Sequence, residues 1–355
     1  MSEKVLMKGN EAVAESAIRA GCRHFFGYPI TPQTEVAAYF AKRMPKIGGT
    51  YLQAESEIAA INMVLGAGGS GARAMTSSSS PGISLKTEGI SYICGSDVPC
   101  VIMNIERGGP GLGGIQPSQS DYFQATKAPG HGDLHVIVLA PSGVQEMADI
   151  TYNAFDLAEK YRMPCLILGD GILGQMMEPV ELPEPKEISA EDKPWAACGH
   201  ENKREHNIIN SLYLDPAELE QKVRARYERY AEIEKNEVRF EEYKTDDADI
   251  IITAFGATSR VAKSAINTAR EMGIKAGLVR PITLWPFPKE ILAKLADRVK
   301  AFLSVEMNMG QMVDDVKLAV NGKKPVYFFG RTGGIVPTAE EIVAELEKIN
   351  GGAAK

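Results

Sequence analysis

The chain has 355 residues, 44% of them apolar and 24% charged, enough for two ordinary globular domains with proper cores. Its 46 acidic residues outnumber the 39 basic ones, giving a formal net charge of −7, so no basic surplus exists to neutralise nucleic-acid phosphates. No stretch approaches the roughly 20 apolar residues that cross a bilayer, and Met1-Ser2-Glu3-Lys4 opens a mixed segment without a signal-peptide core, so a cytoplasmic location is expected.

Residues 1–177 alternate short apolar runs with helical periodicity, the pattern of a doubly wound parallel α/β sheet. Candidate strands are 24–28, 50–53, 72–76, 99–105, 135–140 and 165–169. The clearest helix begins at Ser142, three residues before Gln145 as in a capping box, and sets Met147, Ile150, Ala154, Leu157 and Tyr161 on one face. From 178 to 247 the character changes. Pro179, Pro183, Pro185 and Pro194 break a charged segment, and a long charged helix follows with Asp215 as N-cap, Pro216 at its first position and Glu218 behind. Leu219, Val223, Tyr227 and Tyr230 give that helix one apolar stripe. Alternation resumes over 248–355, with strands at 250–254, 276–279, 301–305 and 326–329 and a last helix over 339–349, which makes a second, smaller α/β domain. Five widely spaced cysteines (Cys22, Cys94, Cys100, Cys165, Cys198) include no C-x-x-C pair, so buried reduced thiols are expected rather than cluster or zinc ligands.

Doubly wound sheets bind ligands at the carboxyl ends of their strands. After the first strand comes Tyr28-Pro29-Ile30-Thr31-Pro32. There Thr31 is either an N-cap ahead of a first-turn proline or a hydroxyl aimed at an anionic or carbonyl ligand. After the second, Glu55 and Glu57 open a helix apolar on nearly every side, which should be buried. Such carboxylates either compensate the helix dipole or share a proton with a ligand. Thr76 to Gly82 is a plain turn or a polar lining of the same crevice. Arg107 stands at the base of a glycine-rich, flexible loop, 108–114, as an exposed structural arginine or as a partner for a carboxylate. That loop is neither a Walker A loop nor a dinucleotide fingerprint.

Together these segments resemble the 2-oxoacid:ferredoxin oxidoreductases. The stretch GLGGIQPSQSDYFQA over 111–125 is similar to the branched-chain (2-oxoisovalerate, or 3-methyl-2-oxobutanoate) branch, as are 169–177, 279–288 and 306–311. The resemblance implies that 1–177 is a thiamin-diphosphate pyrimidine-binding domain and 248–355 a transketolase C-terminal-like domain. Glu57 then matches the carboxyl that activates the cofactor, with Pro29 and Ser79 beside it, while Thr31 and Arg107 meet the keto and carboxylate end of the substrate. It also implies oxidative decarboxylation to an acyl-coenzyme A and CO2. The electrons pass through [4Fe-4S] clusters on a ferredoxin-like partner to ferredoxin, within a complex that includes a gamma-type subunit. Gly169-Asp170-Gly171 imitates the opening of a Mg2+–diphosphate motif with Asn202 at a tempting distance, but the proline-broken residues between cannot supply its helix and second strand. Asp170 is therefore read as a strand end, with no metal ligands on this chain and Mg2+ and the diphosphate held by a partner subunit. Alternatives are a 2-oxoglutarate enzyme, a non-oxidative thiamin-dependent decarboxylase and a non-catalytic scaffold subunit.

Overall fold

Short apolar runs separated by helices give two mainly parallel sheets in a computed structural model that describes residues 4–189 and 192–352. The opening residues 1–3, on which the reading of the N-terminus partly rests, lie outside the described residues. In chain order the strands are β1 (Lys4–Lys8), β2 (His24–Gly27), β3 (Thr50–Gln53), β4 (Ala74–Ser78), β5 (Cys100–Glu106), β6 (Ile137–Leu139) and β7 (Pro164–Asp170). They continue with β8 (Met177–Glu181), β9 (Phe240–Tyr243), β10 (Ile250–Thr253), β11 (Ala276–Pro281), β12 (Thr283–Trp285), β13 (Ala301–Glu306) and β14 (Val326–Gly330).

The first sheet has the order β12-β6-β7-β5-β4-β2-β3, parallel except for β12, which runs antiparallel to β6. Every residue of β5 and β7 is buried, as expected for central strands covered by helices on both faces. The second sheet has the order β14-β13-β10-β11-β9, with only β9 antiparallel. β1 and β8 form a separate antiparallel pair.

Four strands were not anticipated: β1, β8, β9 and β12. Each is short and peripheral, and β12 sits between Pro281 and Pro286, residues that argue against a strand. One cap also differs. The helix expected from Ser142 runs over Val144–Tyr161 with Gly143 at its N-cap. Glu146 rather than Gln145 reaches back, accepting hydrogen bonds from the Ser142 amide (2.7 Å) and hydroxyl (2.9 Å). The long helix Pro216–Asn236 does start at Asp215, whose carboxylate accepts the Ala217 N–H at 2.9 Å. Its contact face, however, carries Arg226, Tyr230 and Ile233, while Leu219 and Tyr227 remain exposed. Arg226 is held there by the Asp97 carboxylate at 3.0 Å. Four thiols are buried and Cys198 is exposed. Burial pushes Cys22 up to about 12, beyond the reach of thiolate chemistry.

Candidate active site

Four adjacent strands, β3, β2, β4 and β5, deliver their carboxyl ends to one edge of the first sheet. Past β2, Pro29 and Thr31 are exposed. Thr31 does not cap the helix, which runs over Thr34–Arg43 behind Gln33. The Gln33 side chain donates to the Tyr28 carbonyl at 3.2 Å and accepts from the Ser77 hydroxyl, and the helix starts two residues later than a Thr31 cap would place it.

Past β3, Ser56 caps the helix Glu57–Gly69 by accepting the Ala59 N–H at 3.2 Å. The cap separates the two rival carboxyls: Glu55 stays exposed, whereas Glu57, at the first helical position, is only 5% exposed. The Glu57 carboxyl lies over the helix Pro81–Gly95 at a position only glycine allows. A Cβ on Gly82 would meet Glu57 Oε1 at 2.5 Å and Ser78 Oγ at 2.1 Å. No described residue hydrogen-bonds the Glu57 carboxylate. The helix itself is not buried all round, because Ile58 and Asn62 are exposed.

At the end of β4 and just past it, Thr76, Ser77, Ser78 and Ser79 are all fully buried, and the hydroxyls of Thr76, Ser78 and Ser79 have no partner among the described residues. Buried polar atoms are seldom left so. Ser80 has φ 25°, a conformation costly for any residue with a Cβ. Its surroundings impose it. The Ser80 N–H donates to Asn104 Oδ1 (3.0 Å), its hydroxyl donates to Asp121 Oδ2 (2.6 Å), and its oxygen accepts the Arg107 N–H (3.0 Å). Asn104 also donates to Asp121 Oδ2 at 2.8 Å.

Past β5, Arg107 is buried, contrary to the exposed alternative. Its guanidinium donates to the Thr31 carbonyl (2.9 Å) and the Leu112 carbonyl (3.2 Å), while Nε is buried without a partner. Among the described residues no carboxylate forms an ion pair with it. The loop it anchors is pinned at its base. Gly108 N–H donates to Gln116 O (3.0 Å), Gly114 N–H to Gly108 O (2.9 Å), and Arg107 bridges Pro117. The structure thus joins Thr31 to Arg107 directly and sets Glu57 against the Ser78–Gly82 turn.

Neighbouring carboxyls serve the scaffold. Glu106, ending β5, accepts the Asp121 N–H at 2.7 Å, and burial together with Asp121 and Asp170 pushes it well above the usual carboxylate range. Asp170 ends β7 and is raised by burial to about 6, with its oxygens taken by the N–H groups of Ile172, Leu173 and Ala257. Asn202 sits in an exposed turn. This pair does not fit a metal ion, because Asp170 is already spent on helix capping.

The segments 111–125 and 306–311, noted for their resemblance, meet at the seam between the sheets. Gln119 donates to Phe255 O (2.8 Å), Asn308 to Gln119 O (2.7 Å) and Gln311 to Ser120 O (2.8 Å), while Tyr122 OH donates to Asp315 Oδ2 at 2.5 Å. Fully buried Glu306 accepts the N–H groups of Gln311, Met312 and Val313, anchoring the helix Met312–Val320. One further residue escaped the sequence reading. Lys86 is fully buried and donates to the Glu57 carbonyl at 3.3 Å. The signal was the spacing of Gly82, Lys86 and Gly89 on one helical face.

A family model described as pyruvate flavodoxin/ferredoxin oxidoreductase, thiamine-diphosphate binding, matches residues 15–246, and one described as pyruvate:ferredoxin oxidoreductase core domain II matches 248–342. The chain belongs to the 2-oxoacid:ferredoxin oxidoreductase family. It is a subunit of a thiamin-diphosphate-dependent oxidoreductase. Among family members it is 49% identical to the ketoisovalerate oxidoreductase subunit VorB of Methanothermobacter marburgensis, over 98% of both chains. It is 36% identical to the 2-oxoglutarate synthase subunit KorA of Methanothermobacter thermautotrophicus, over 99% of this chain and 100% of that one. A solved 2-oxoglutarate:ferredoxin oxidoreductase from Magnetococcus marinus, with 2-oxoglutarate, coenzyme A and succinyl-CoA bound, superposes with TM-score 0.84 at 29% identity. This chain covers 98% of itself and 65% of that solved chain in the match. A split-gene transketolase shares the fold at TM-score 0.58 and 15% identity. No helix among the described residues is long and apolar enough to cross a membrane.

Proposed function

We propose that this subunit contributes the cofactor-activating carboxyl, Glu57, and the substrate-carboxylate site, Arg107, to an enzyme that oxidatively decarboxylates 2-oxoisovalerate to its acyl-coenzyme A. The observation that carries the reading is two buried charged groups at carboxyl ends along one sheet edge: Glu57, whose carboxylate accepts no hydrogen bond from any described residue, and Arg107, which pairs with no carboxylate among them. Burying a charged group without hydrogen-bonded partners is expensive, so such groups persist where a ligand completes them.

The residues fit the pyrimidine half of thiamin diphosphate. Glu57 would hold and share a proton with a ring nitrogen, and the orphaned hydroxyls of Ser78 and Ser79 lie on the turn beside it, with exposed Pro29 at the rim. The bound cofactor supplies the carbanion chemistry that cleaves the 2-oxoacid. Arg107 would pair with the substrate carboxylate through its free Nε edge, and Thr31, tied to Arg107 through its carbonyl, would orient the keto oxygen with its hydroxyl. Diphosphate and Mg2+ would be bound by a partner subunit, since Asp170 cannot serve. Exposed Ile58 and Leu52 suit contact with that partner. A gamma-type subunit, a ferredoxin-like subunit with [4Fe-4S] clusters, ferredoxin and coenzyme A complete the cycle. The 49% against 36% identities favour 2-oxoisovalerate over 2-oxoglutarate.

Dye reduction by the purified complex with 2-oxoisovalerate, 2-oxoglutarate and pyruvate tests the substrate. Preference for 2-oxoglutarate would overturn it. Glu57→Gln should abolish turnover with all three, and full retained activity would remove Glu57 from the chemistry.

A further inference from the structure

We propose that Lys86 is the positioning residue for Glu57: a buried ammonium that pins the first turn of the Glu57 helix and acts as an internal counter-charge to its carboxylate. This rests on Glu57 acting on the cofactor.

The argument begins with how closely two helices approach. Gly82, Lys86 and Gly89 are spaced i, i+4 and i+7 along the helix Pro81–Gly95, so they share the face turned to the Glu57 helix. Both glycines are there for closeness. A Cβ on Gly89 would meet the Ile61 side chain at 2.4 Å, and one on Gly82 would meet Glu57 Oε1 at 2.5 Å. Between these contact points lies the longest aliphatic side chain of the face, fully buried. Its ammonium donates to the Glu57 backbone carbonyl at 3.3 Å, one residue past the Ser56 cap.

Packing alone would place Leu or Met there, because an ammonium loses its hydration and gains in return one bond to a neutral carbonyl. The electrostatics agree with a different role. Burial draws the Lys86 ammonium down to about 8, and the Glu57 charge opposes that fall, the one charged group acting on it among the described residues. At neutral pH Lys86 therefore remains mostly cationic. It fixes the helix start that aims Glu57 and keeps a positive charge under a carboxyl otherwise free of partners.

The test uses the assembled complex and three readouts: the Kd for thiamin diphosphate, the near-ultraviolet circular dichroism of the bound aminopyrimidine, and turnover. Lys86→Met keeps length and burial but removes the charge. It should preserve or raise the melting temperature, weaken cofactor binding about tenfold, diminish the dichroic band and lower turnover about 100-fold. In a Glu57→Gln background the same change should have no further effect, because Lys86 acts through Glu57. An unchanged Kd and band in Lys86→Met, or effects that multiply with those of Glu57→Gln, would overturn the proposal. Should Lys86→Met fail to assemble, Lys86→Gln retains a donor for the carbonyl without the charge and carries the same expectations. A silent Glu57→Gln would sink the reading of Glu57 instead, so the two failures are distinct.

Discussion

Gly82→Ala separates function from stability more sharply than any removal of a charged group. The added methyl carbon would sit 2.5 Å from Glu57 Oε1, whereas ordinary contact begins at 3.4 Å, so the carboxyl or the helix beneath it must yield by close to 1 Å. The Ser78 hydroxyl, 2.1 Å from the same carbon, has no hydrogen bond to lose and can rotate aside. Misplacing a catalytic group by about 1 Å costs on the order of 100-fold in rate, or ~2.7 kcal/mol of transition-state stabilisation. The fold should not suffer, because Gly82 has no positive φ and alanine in place of a helical glycine gains up to about 1 kcal/mol. Turnover of 2-oxoisovalerate by the reconstituted complex should drop about 100-fold while the melting temperature holds or rises. Activity within threefold of wild type would refute the claim that Glu57 must sit against this turn.

Arg107→Met removes a buried cation together with its two carbonyl bonds, losses and relief that nearly cancel in stability. The melting temperature should move by only a few degrees, while kcat/KM for all three 2-oxoacids falls by about 100-fold or more, since they share the carboxylate. Unchanged steady-state kinetics would remove Arg107 from the substrate site. Tyr122→Phe leaves the buried Asp315 carboxylate with Lys127 alone, and chemical denaturation should show a loss of about 1–3 kcal/mol with little change in substrate KM. Glu106 binds its proton more tightly folded than unfolded, so its contribution to stability is full below about pH 4.5 and is lost as the pH rises through its raised folded value. Glu106→Gln keeps an acceptor for the Asp121 N–H without titrating. Its melting temperature should therefore gain on the wild type as the pH rises above the ordinary carboxylate range, and a constant difference would contradict the assignment.

The core strands were legible because a strand buried on both faces is a continuous apolar run, as β5 and β7 are. The edge strands β9 and β12 were not, since their pairing depends on where another segment ends rather than on their own residues. At the site, local rules identified the strand ends but misjudged particulars. Thr31-Pro32 has the form of a cap, yet Gln33 is claimed by Tyr28 and Ser77 first. Glu55 and Glu57 look equivalent in the sequence and differ only through the Ser56 cap between them. Ser80 owes its strained backbone to Asn104 and Asp121, 24 and 41 residues away. Lys86 is invisible to any composition argument, because a lone lysine in a helix reads as solvated until the two glycines on its face are noticed.

β12 couples the two halves of the chain in time as well as in space. Its residues, Thr283–Trp285, cover β6, and Trp285 stacks on His135 with ring centroids 4.6 Å apart. A fragment ending at residue 247 would hold every other strand of that sheet and still present β6 as a bare edge of unpaired N–H and C=O groups. Attempts to produce the N-terminal half alone therefore invite aggregation. During synthesis the nascent protein carries the same exposed edge until residue 285 has left the ribosome. The sheet that begins first is the one that closes late.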